Sequence, residues 1–285
     1  MAESLADHEM TQDLDSKLPP GAGSWEQFET PYACGWTIEN PVAVVVLLHG
    51  FGEHMGLYQR LAEGFNAGGV EVWGLDHIGH GRSPGTRGFF PSIGQLVRNA
   101  AHVVDRAREA NPGVSTFVVG HSLGGIVAAH LAAGLSLPLA GLVLSGTPFE
   151  GLPPEAVYLT DPEISRDKFY LDALASDQFG FDRSVAEPAL WRSISRVTSD
   201  VKSILSESDV PILLINGEHD VLAPPAIARR WAEIIGARSI IVPNCYHDVL
   251  NDVAHADVVA SILTQIRQWG TVRAGLQTIS TRRGD

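Results

Sequence analysis

Short apolar runs alternate with longer segments of helical periodicity through most of the chain. The run VAVVVLLHG (42–50) is continuous and rich in β-branched residues, which is typical of a buried strand. Similar runs predict strands in VEVWGLD, STFVVG, LAGLVLS, VPILLING and SIIVP. Helical spacing predicts helices in LYQRLAEGFNAGG, IGQLVRNAAHVVDRAREANPG, SLGGIVAAHLAAGL, PAIARRWAEIIG and, near the end, 252–269. Strands separated by helices predict βαβ units and a mostly parallel sheet with helices on both faces.

This alternation stops over residues 147–208, where Pro, Asp and aromatic residues are frequent, and then resumes. One sheet with an insertion explains the pattern better than two domains do. We therefore expect a core over 23–146 and 209–270, the insertion over 147–208, and tails at 1–22 and 271–285. The aromatic residues of the insertion are expected either to line an apolar pocket or to form a small core of their own: Phe149, Tyr158, Phe169, Tyr170, Phe179, Phe181 and Trp191.

Composition and charge narrow the range of partners. The hydrophobic fraction of 45% and the charged fraction of 19% are typical of a globular protein with a sizeable core. The net charge of −13 disfavours binding to nucleic acid or to an anionic membrane surface. The acidic N-terminus does not resemble a signal peptide, and no apolar run reaches the roughly 20 residues that span a bilayer. We expect a cytoplasmic protein without stable membrane insertion, and its oligomeric state is left open.

The two cysteines support the same location. Cys34 and Cys245 form neither a disulfide framework nor a metal-binding spacing, which suits a reducing compartment. We expect Cys245 to be a small buried residue rather than a second nucleophile.

Polar residues that can carry chemistry follow the predicted strands. In open α/β sheets, functional groups gather beyond the carboxyl ends of the strands. Here those positions hold HGFGEH (49–54), DHIGHGRS (76–83), GHSLGG (120–125), GEHD (217–220) and NCYHD (244–248). The predicted topology therefore brings a serine, several acids and several histidines to one edge of the sheet.

The segment Gly120-His121-Ser122-Leu123-Gly124 matches the G-x-S-x-G nucleophile elbow. In this turn the serine is exposed between a strand and a helix, and the glycines leave room for tight packing of the backbone. Because the segment lies between a predicted strand and a predicted helix, we interpret Ser122 as a nucleophile. We expect His121 to pack elsewhere rather than to react.

A serine nucleophile needs a base, and the base needs an orienting acid. His247 follows the last predicted strand, and Asp220 follows the strand before it, which gives the chain order Ser, Asp, His of an elbow hydrolase. The sequence leaves other possibilities open. Glu218 is the alternative acid, and the alternative bases are His54, His219 and His255.

Two backbone amides are predicted to stabilise the oxyanion. Leu123 follows the nucleophile, and Phe51 lies in the loop after the first parallel strand, where the second donor is expected. We expect no cofactor and no metal, because the His77-x-x-His80 spacing has no evident third ligand.

Five motifs in order resemble those of the monoacylglycerol lipase and lysophospholipase branch of the α/β-hydrolase superfamily: HGFGEHMGLY, DHIGHGRSPG, GHSLGG, NGEHDVLAP and YHDVLND, spread over about residues 40–270. The resemblance implies an α/β-hydrolase fold with a cap inserted after the sixth strand, at the position of the insertion. It also implies that Ser122, Asp220 and His247 are catalytic, that Phe51 and Leu123 form the oxyanion hole, and that the substrate is a small carboxylic monoester.

The substrate is less well determined than the reaction. Alternatives are alkyl monoesters of aromatic acids, such as monoalkyl phthalates, peptides cleaved by a serine aminopeptidase, and a non-catalytic ligand receptor of the same fold. Leu57 stands where the family tends to carry an arginine that holds glycerol hydroxyls, so we expect glycerol not to be the preferred alcohol. Leu57, Phe179, Phe181 and Trp191 are the predicted substrate-binding residues.

Overall fold

An eight-stranded sheet forms the centre of the computed structural model, which describes residues 12–13, 30–134, 139–151, 153 and 163–281. The strands lie in the order β1-β2-β4-β3-β5-β6-β7-β8. In chain order they are β1 (Gln12–Asp13), β2 (Ala33–Trp36), β3 (Ala43–Leu48), β4 (Val70–Leu75), β5 (Thr116–His121), β6 (Gly141–Ser145), β7 (Ile212–Gly217) and β8 (Arg238–Val242).

The sheet is mostly parallel, which confirms the predicted fold class. Strands β3 to β8 pair in parallel, whereas β2 pairs antiparallel with both β1 and β4. The sequence pattern did not predict β1 or β2. The carboxyl ends of β3, β5, β7 and β8 lie at one edge of the sheet, as the parallel pairing requires.

Helices cover both faces of the sheet. They are α1 (Gln59–Ala67), α2 (Ile93–Ala110), α3 (Leu123–Gly134), α4 (Lys168–Ala175), α5 (Arg183–Ser206), α6 (Pro225–Ile235) and α7 (His255–Thr281), with a short 3-10 turn at Met55–Tyr58. Buried residues of α2, α3, α5 and α6 form one apolar cluster, and those of α1, α4 and α7 form another.

The packing of strand β3 on both faces explains why its sequence is continuously apolar. Val44 and Val46 pack into the first cluster, whereas Val45 and Leu47 pack into the second. Successive side chains of a strand point to opposite faces, so a strand covered on both sides needs apolar residues at every position.

The insertion contributes α4 and α5 between the sixth and seventh strands. Leu190, Ile194, Val201 and Leu205 of α5 are buried, and their spacing forms an apolar stripe that packs into the α2–α3 cluster. Tyr158, one of the aromatic residues predicted to be important here, lies outside the described residues.

The last helix is longer than its pattern predicts. It runs to Thr281, beyond the end expected near Trp269, although Gly270 lies within it. A glycine inside a helix costs only about 1 kcal/mol relative to alanine, so it does not have to end one. Among the helices of the described residues, none is long and apolar enough to cross a lipid bilayer.

Candidate active site

Ser122 lies in a strained turn between β5 and α3. Its φ angle is +50°, in the left-handed region that side chains other than glycine rarely adopt. A Cβ atom on Gly120 would collide with the carbonyl of Gly124, and one on Gly124 would collide with the carbonyl of Leu48. The two glycines therefore allow the close backbone packing that exposes Ser122 above the sheet.

The hydroxyl of Ser122 contacts His247, and His247 contacts Asp220. The distance from His247 Nε2 to Ser122 Oγ is 2.9 Å, and His247 Nδ1 lies 2.9 Å and 3.1 Å from the two carboxylate oxygens of Asp220. Asp220 Oδ1 also accepts from the backbone N–H groups of Leu222 and Ala223. This arrangement favours a proton on Nδ1, which leaves Nε2 free to accept the serine proton.

The alternative acid and bases lie elsewhere. Glu218 is exposed and accepts from the Asn244 amide, while His54 Nε2 lies 3.2 Å from Asp177. His219 is exposed, and His255 Nδ1 lies 3.0 Å from the Asp252 carbonyl. The structure therefore brings together the three residues that the strand order favoured.

Phe51 and Leu123 lie beside Ser122 in the wall of one pocket. The amide of Gly50, which precedes Phe51, donates to Glu53 Oε2 at 2.7 Å. Within the described part of the chain, the amide of Phe51 donates to no other backbone group. Leu123 is the first residue of α3, and the first amides of a helix have no acceptor within the helix. Both amides are therefore available to an oxyanion bound at Ser122.

The pocket beside Ser122 is narrow, with a cavity volume of about 60 Å³. At roughly 10–15 Å³ for each water this is room for about four to six waters. Its apolar walls come from Trp191, Leu190 and Ile194 of α5, together with Ile164 and Leu222 from two loops.

Of the predicted substrate-binding residues, the pocket includes Trp191 but not the other three. Leu57 is buried in the cluster that contains α1, α4 and α7. Phe179 packs edge-on against His54, with ring centroids 5.1 Å apart. Phe181 packs behind Phe51 at 5.5 Å, so it supports the candidate oxyanion loop from outside the pocket.

Sequence reasoning missed several pocket residues. Leu190 and Ile194 stand four residues apart on α5, so an apolar stripe was visible in the sequence, but its direction was not. Arg183, Ile164 and Leu222 carry no periodic signal at all. Their place in the pocket depends on how the insertion docks on the sheet.

A buried carboxylate, Glu53, ties three segments together behind the pocket. Its Oε2 accepts from the Gly50 amide and from the Tyr58 hydroxyl, each at 2.7 Å, and its Oε1 accepts from the hydroxyl of Tyr170 on α4 at 2.7 Å. Burial raises the pKa of Glu53, but the neighbouring His121 and the hydrogen-bond donors outweigh burial and lower that pKa below its usual value. Glu53 is therefore an ionised anchor for the insertion and the loop before Phe51.

Asp248, next to His247 in the sequence, is the second buried carboxyl. Burial and the nearby charge of Glu53 raise the pKa of Asp248 well above its usual range, which favours the protonated form of this carboxyl. Ligand atoms of Glu53, His121 and Asp248 lie within 4.8 Å of one another. The oxygens of Glu53 already accept hydrogen bonds from protein donors. The cluster of Glu53, His121 and Asp248 is therefore better suited to sharing a proton among its side chains than to binding a metal ion.

Four histidines are buried around the candidate site. His49 and His77 pack with ring centroids 4.4 Å apart beneath the Phe51 loop, and His80 packs edge-on against Phe51 at 5.3 Å. The ring of His121 lies 4.9 Å from that of His247. Burial lowers the pKa of His77 to about 3 and those of His80 and His121 to about 4, and it lowers the pKa of His49 well below its usual value. All four are neutral near pH 7.

Cys245 lies buried two residues before His247. Burial raises the pKa of its thiol to about 11, so little thiolate forms near neutral pH. This agrees with the expectation that Cys245 is a small buried residue.

Comparisons with known proteins point to one family. The model of the family described as serine aminopeptidase, S33, matches residues 39–161. A monoacylglycerol lipase of Mycolicibacterium smegmatis is 28% identical over 239 residues, which cover 76% of this chain and 85% of that protein. The human monoglyceride lipase is 28% identical over 255 residues, covering 82% of this chain and 84% of that protein.

A solved structure gives the same result. The crystal structure of a Paleococcus ferrophilus monoacylglycerol lipase superposes with a TM-score of 0.70 at 25% identity. The match covers 84% of this chain and 99% of that one.

Proposed function

Because the chain belongs to the α/β-hydrolase superfamily, in its monoacylglycerol lipase-like branch, and is a carboxylic ester hydrolase, we propose that it hydrolyses monoesters through Ser122, His247 and Asp220. One observation carries this proposal. The Ser122 hydroxyl, the imidazole of His247 and the Asp220 carboxylate form a continuous hydrogen-bonded chain, with 2.9 Å at each step. A nucleophile, a base and an orienting acid in this order are the parts that acyl transfer needs.

The first half of the proposed reaction forms an acyl-enzyme. Ser122 Oγ attacks the ester carbonyl while His247 Nε2 takes the serine proton, and Asp220 stabilises the imidazolium that results. The carbonyl oxygen gains negative charge and accepts from the amides of Phe51 and Leu123. His247 then gives the proton to the leaving alkoxide, so the alcohol departs and the acyl group remains on Ser122.

The second half repeats the steps with water. His247 takes a proton from a water molecule as the water attacks the acyl-enzyme, and the same two amides stabilise the second tetrahedral intermediate. Collapse of that intermediate returns the proton to Ser122 and releases the carboxylic acid. No cofactor takes part in any of these steps.

The proposed substrates are small monoesters. The pocket beside Ser122 is narrow, and its walls are largely apolar side chains from α5, which suits one alkyl or acyl chain better than a bulky triester. The names of the relatives include monoacylglycerol lipases, and glycerol monoesters are therefore the first compounds to test. With such substrates the enzyme would act in lipid degradation.

Labelling and turnover test the proposal together. A fluorophosphonate probe should label the wild-type protein once, and Ser122→Ala should remove both the label and the hydrolysis of p-nitrophenyl butyrate and 1-monooctanoylglycerol. Ser195→Ala, on the exposed side of α5, is the matched control and should keep both. Substantial turnover by Ser122→Ala, or label on another residue, would contradict the assignment. A wild-type protein that binds these esters without turnover would instead favour a ligand receptor.

A further inference from the structure

A cationic side chain of the insertion forms part of the wall of the candidate active-site pocket. Arg183, the first residue of α5, lines this pocket together with Ser122 and Phe51. Its Cδ would lie only 2.6 Å from a Cβ placed on Gly52. The aliphatic part of the arginine therefore packs directly over the glycine that follows Phe51.

Among the side chains that the structure describes, no carboxylate forms an ion pair with Arg183. The two carboxyls of the same pocket wall accept hydrogen bonds from other residues, although Asp248 Oδ1 has no donor in the described part of the chain. Glu53 accepts from Gly50, Tyr58 and Tyr170, and Asp248 Oδ2 accepts from the Asn251 amide at 3.0 Å. A guanidinium always carries charge and offers five N–H donors, so it can bind an incoming oxyanion with two parallel hydrogen bonds.

The position of Arg183 limits where such a group can sit on the substrate. A Cβ on Gly50 would lie 3.3 Å from the Cβ of Ser122, so this end of the loop touches the nucleophile. Arg183 and Ser122 line the same pocket, so an anionic group on a substrate bound at Ser122 can approach the guanidinium.

We propose that Arg183 binds an anionic group of the substrate, and that the enzyme prefers monoesters that carry a carboxylate or a phosphate close to the scissile ester. This inference rests on the proposed hydrolysis at Ser122 and names its substrate class. The protein as a whole carries a net charge of −13 and therefore repels an anionic substrate. Binding such a substrate requires a local cation, and Arg183 supplies one in the pocket. Half-esters of dicarboxylic acids and lysophospholipids share this chemistry.

Two matched pairs of esters test the proposal and separate its two sources. Monooctyl succinate is compared with octyl levulinate, in which a methyl ketone replaces the carboxylate. Octanoyl lysophosphatidic acid is compared with 1-monooctanoylglycerol, which lacks the phosphate. For each ester, kcat/KM is measured with the wild type, Arg183→Gln, Arg183→Lys and the control Arg192→Gln, an exposed arginine on the same helix.

We expect the wild type to prefer the anionic member of at least one pair. Arg183→Gln should lower kcat/KM for that anion by about ten- to a hundredfold, the range expected for losing a hydrogen bond to a charged group, while the neutral partner changes less than about twofold. Arg183→Lys should recover part of the loss because it keeps the charge without the planar fork. Arg192→Gln should change neither substrate.

Three results would overturn the proposal without affecting the assignment of Ser122. Preference for the neutral ester in both pairs would exclude anion recognition. An equal loss for all four esters in Arg183→Gln would mean that the arginine only supports the Phe51 loop through Gly52. A loss confined to 1-monooctanoylglycerol would mean that the guanidinium binds glycerol hydroxyls. Failure of the wild type to hydrolyse any of the four esters would instead contradict the proposed function itself.

Discussion

The buried histidines predict that the protein loses stability when the pH falls below neutral. The pKa values of His77, His80 and His121 are about 3, 4 and 4 in the folded protein, that of His49 is also far below normal, and all return to about 6.5 on unfolding. Between the folded and unfolded values the unfolded chain binds more protons. The free energy of unfolding must therefore decrease as the pH falls through about 6.5.

The size of the effect follows from linkage. From about pH 7.5 to about pH 5.5 each of His77, His80 and His121 costs about 1 kcal/mol, or roughly 3–4 kcal/mol for the three together, and the lowered pKa of His49 acts in the same direction. Asp248 acts in the opposite direction, because its raised pKa lets the folded state keep a proton that the unfolded chain loses. The raised pKa of Asp76 and the lowered pKa of His130 have opposite effects on the free energy of unfolding. We expect a net loss on the order of a few kcal/mol, out of the roughly 5–15 kcal/mol of a typical domain.

Urea unfolding, followed by the fluorescence of the six tryptophans, measures this loss at a series of pH values. His77→Leu should recover about 1 kcal/mol of it, because it removes one titrating group whose ring nitrogens make no hydrogen bond in the described part of the chain. The control His219→Asn removes an exposed histidine and should not recover the loss. Equal or greater stability at about pH 5.5 than at about pH 7.5 would refute the reasoning.

Three further predictions concern single side chains of the site. Tyr170→Phe should lower the free energy of unfolding by about 1.5–3 kcal/mol in urea titrations, because it removes a 2.7 Å hydrogen bond to ionised Glu53, and unchanged stability would argue against that anchor. Asp220→Asn should reduce kcat by about 10⁴-fold in ester assays, as loss of the orienting acid does in a serine protease, whereas a loss below about tenfold would favour another acid. Trp191→Ala should change the preferred acyl chain length across a series of p-nitrophenyl esters, because this ring lines the pocket. A lower melting temperature with an unchanged preference would show that Trp191 only supports the insertion.

The fold could be predicted because the sequence patterns that specify it are short and periodic. The continuous run of β3 predicts a strand that is covered on both faces, and the tight glycine spacing around Ser122 predicts a sharp turn from strand to helix. Parallel strands separated by helices then bring every strand end to one edge of the sheet. The proximity of Ser122, Asp220 and His247 could be predicted in this way, although 125 residues separate the serine from the histidine.

Other features of the site depend on how distant segments pack. Leu57 occupies the position that the motif suggested for substrate contact, yet its side chain turns into the core. The bond between Glu53 and Tyr170 joins residues 117 positions apart, and the contact of Arg183 with Gly52 joins the insertion to the Phe51 loop. In its described residues the insertion has no strands of the sheet, so the sheet does not fix the directions of its side chains. The periodicity of the sequence therefore does not predict which side chains of the insertion face the pocket. Those directions were settled when α4 and α5 buried their apolar stripes against the sheet and its helices, because burying apolar area is the dominant favourable contribution to folding.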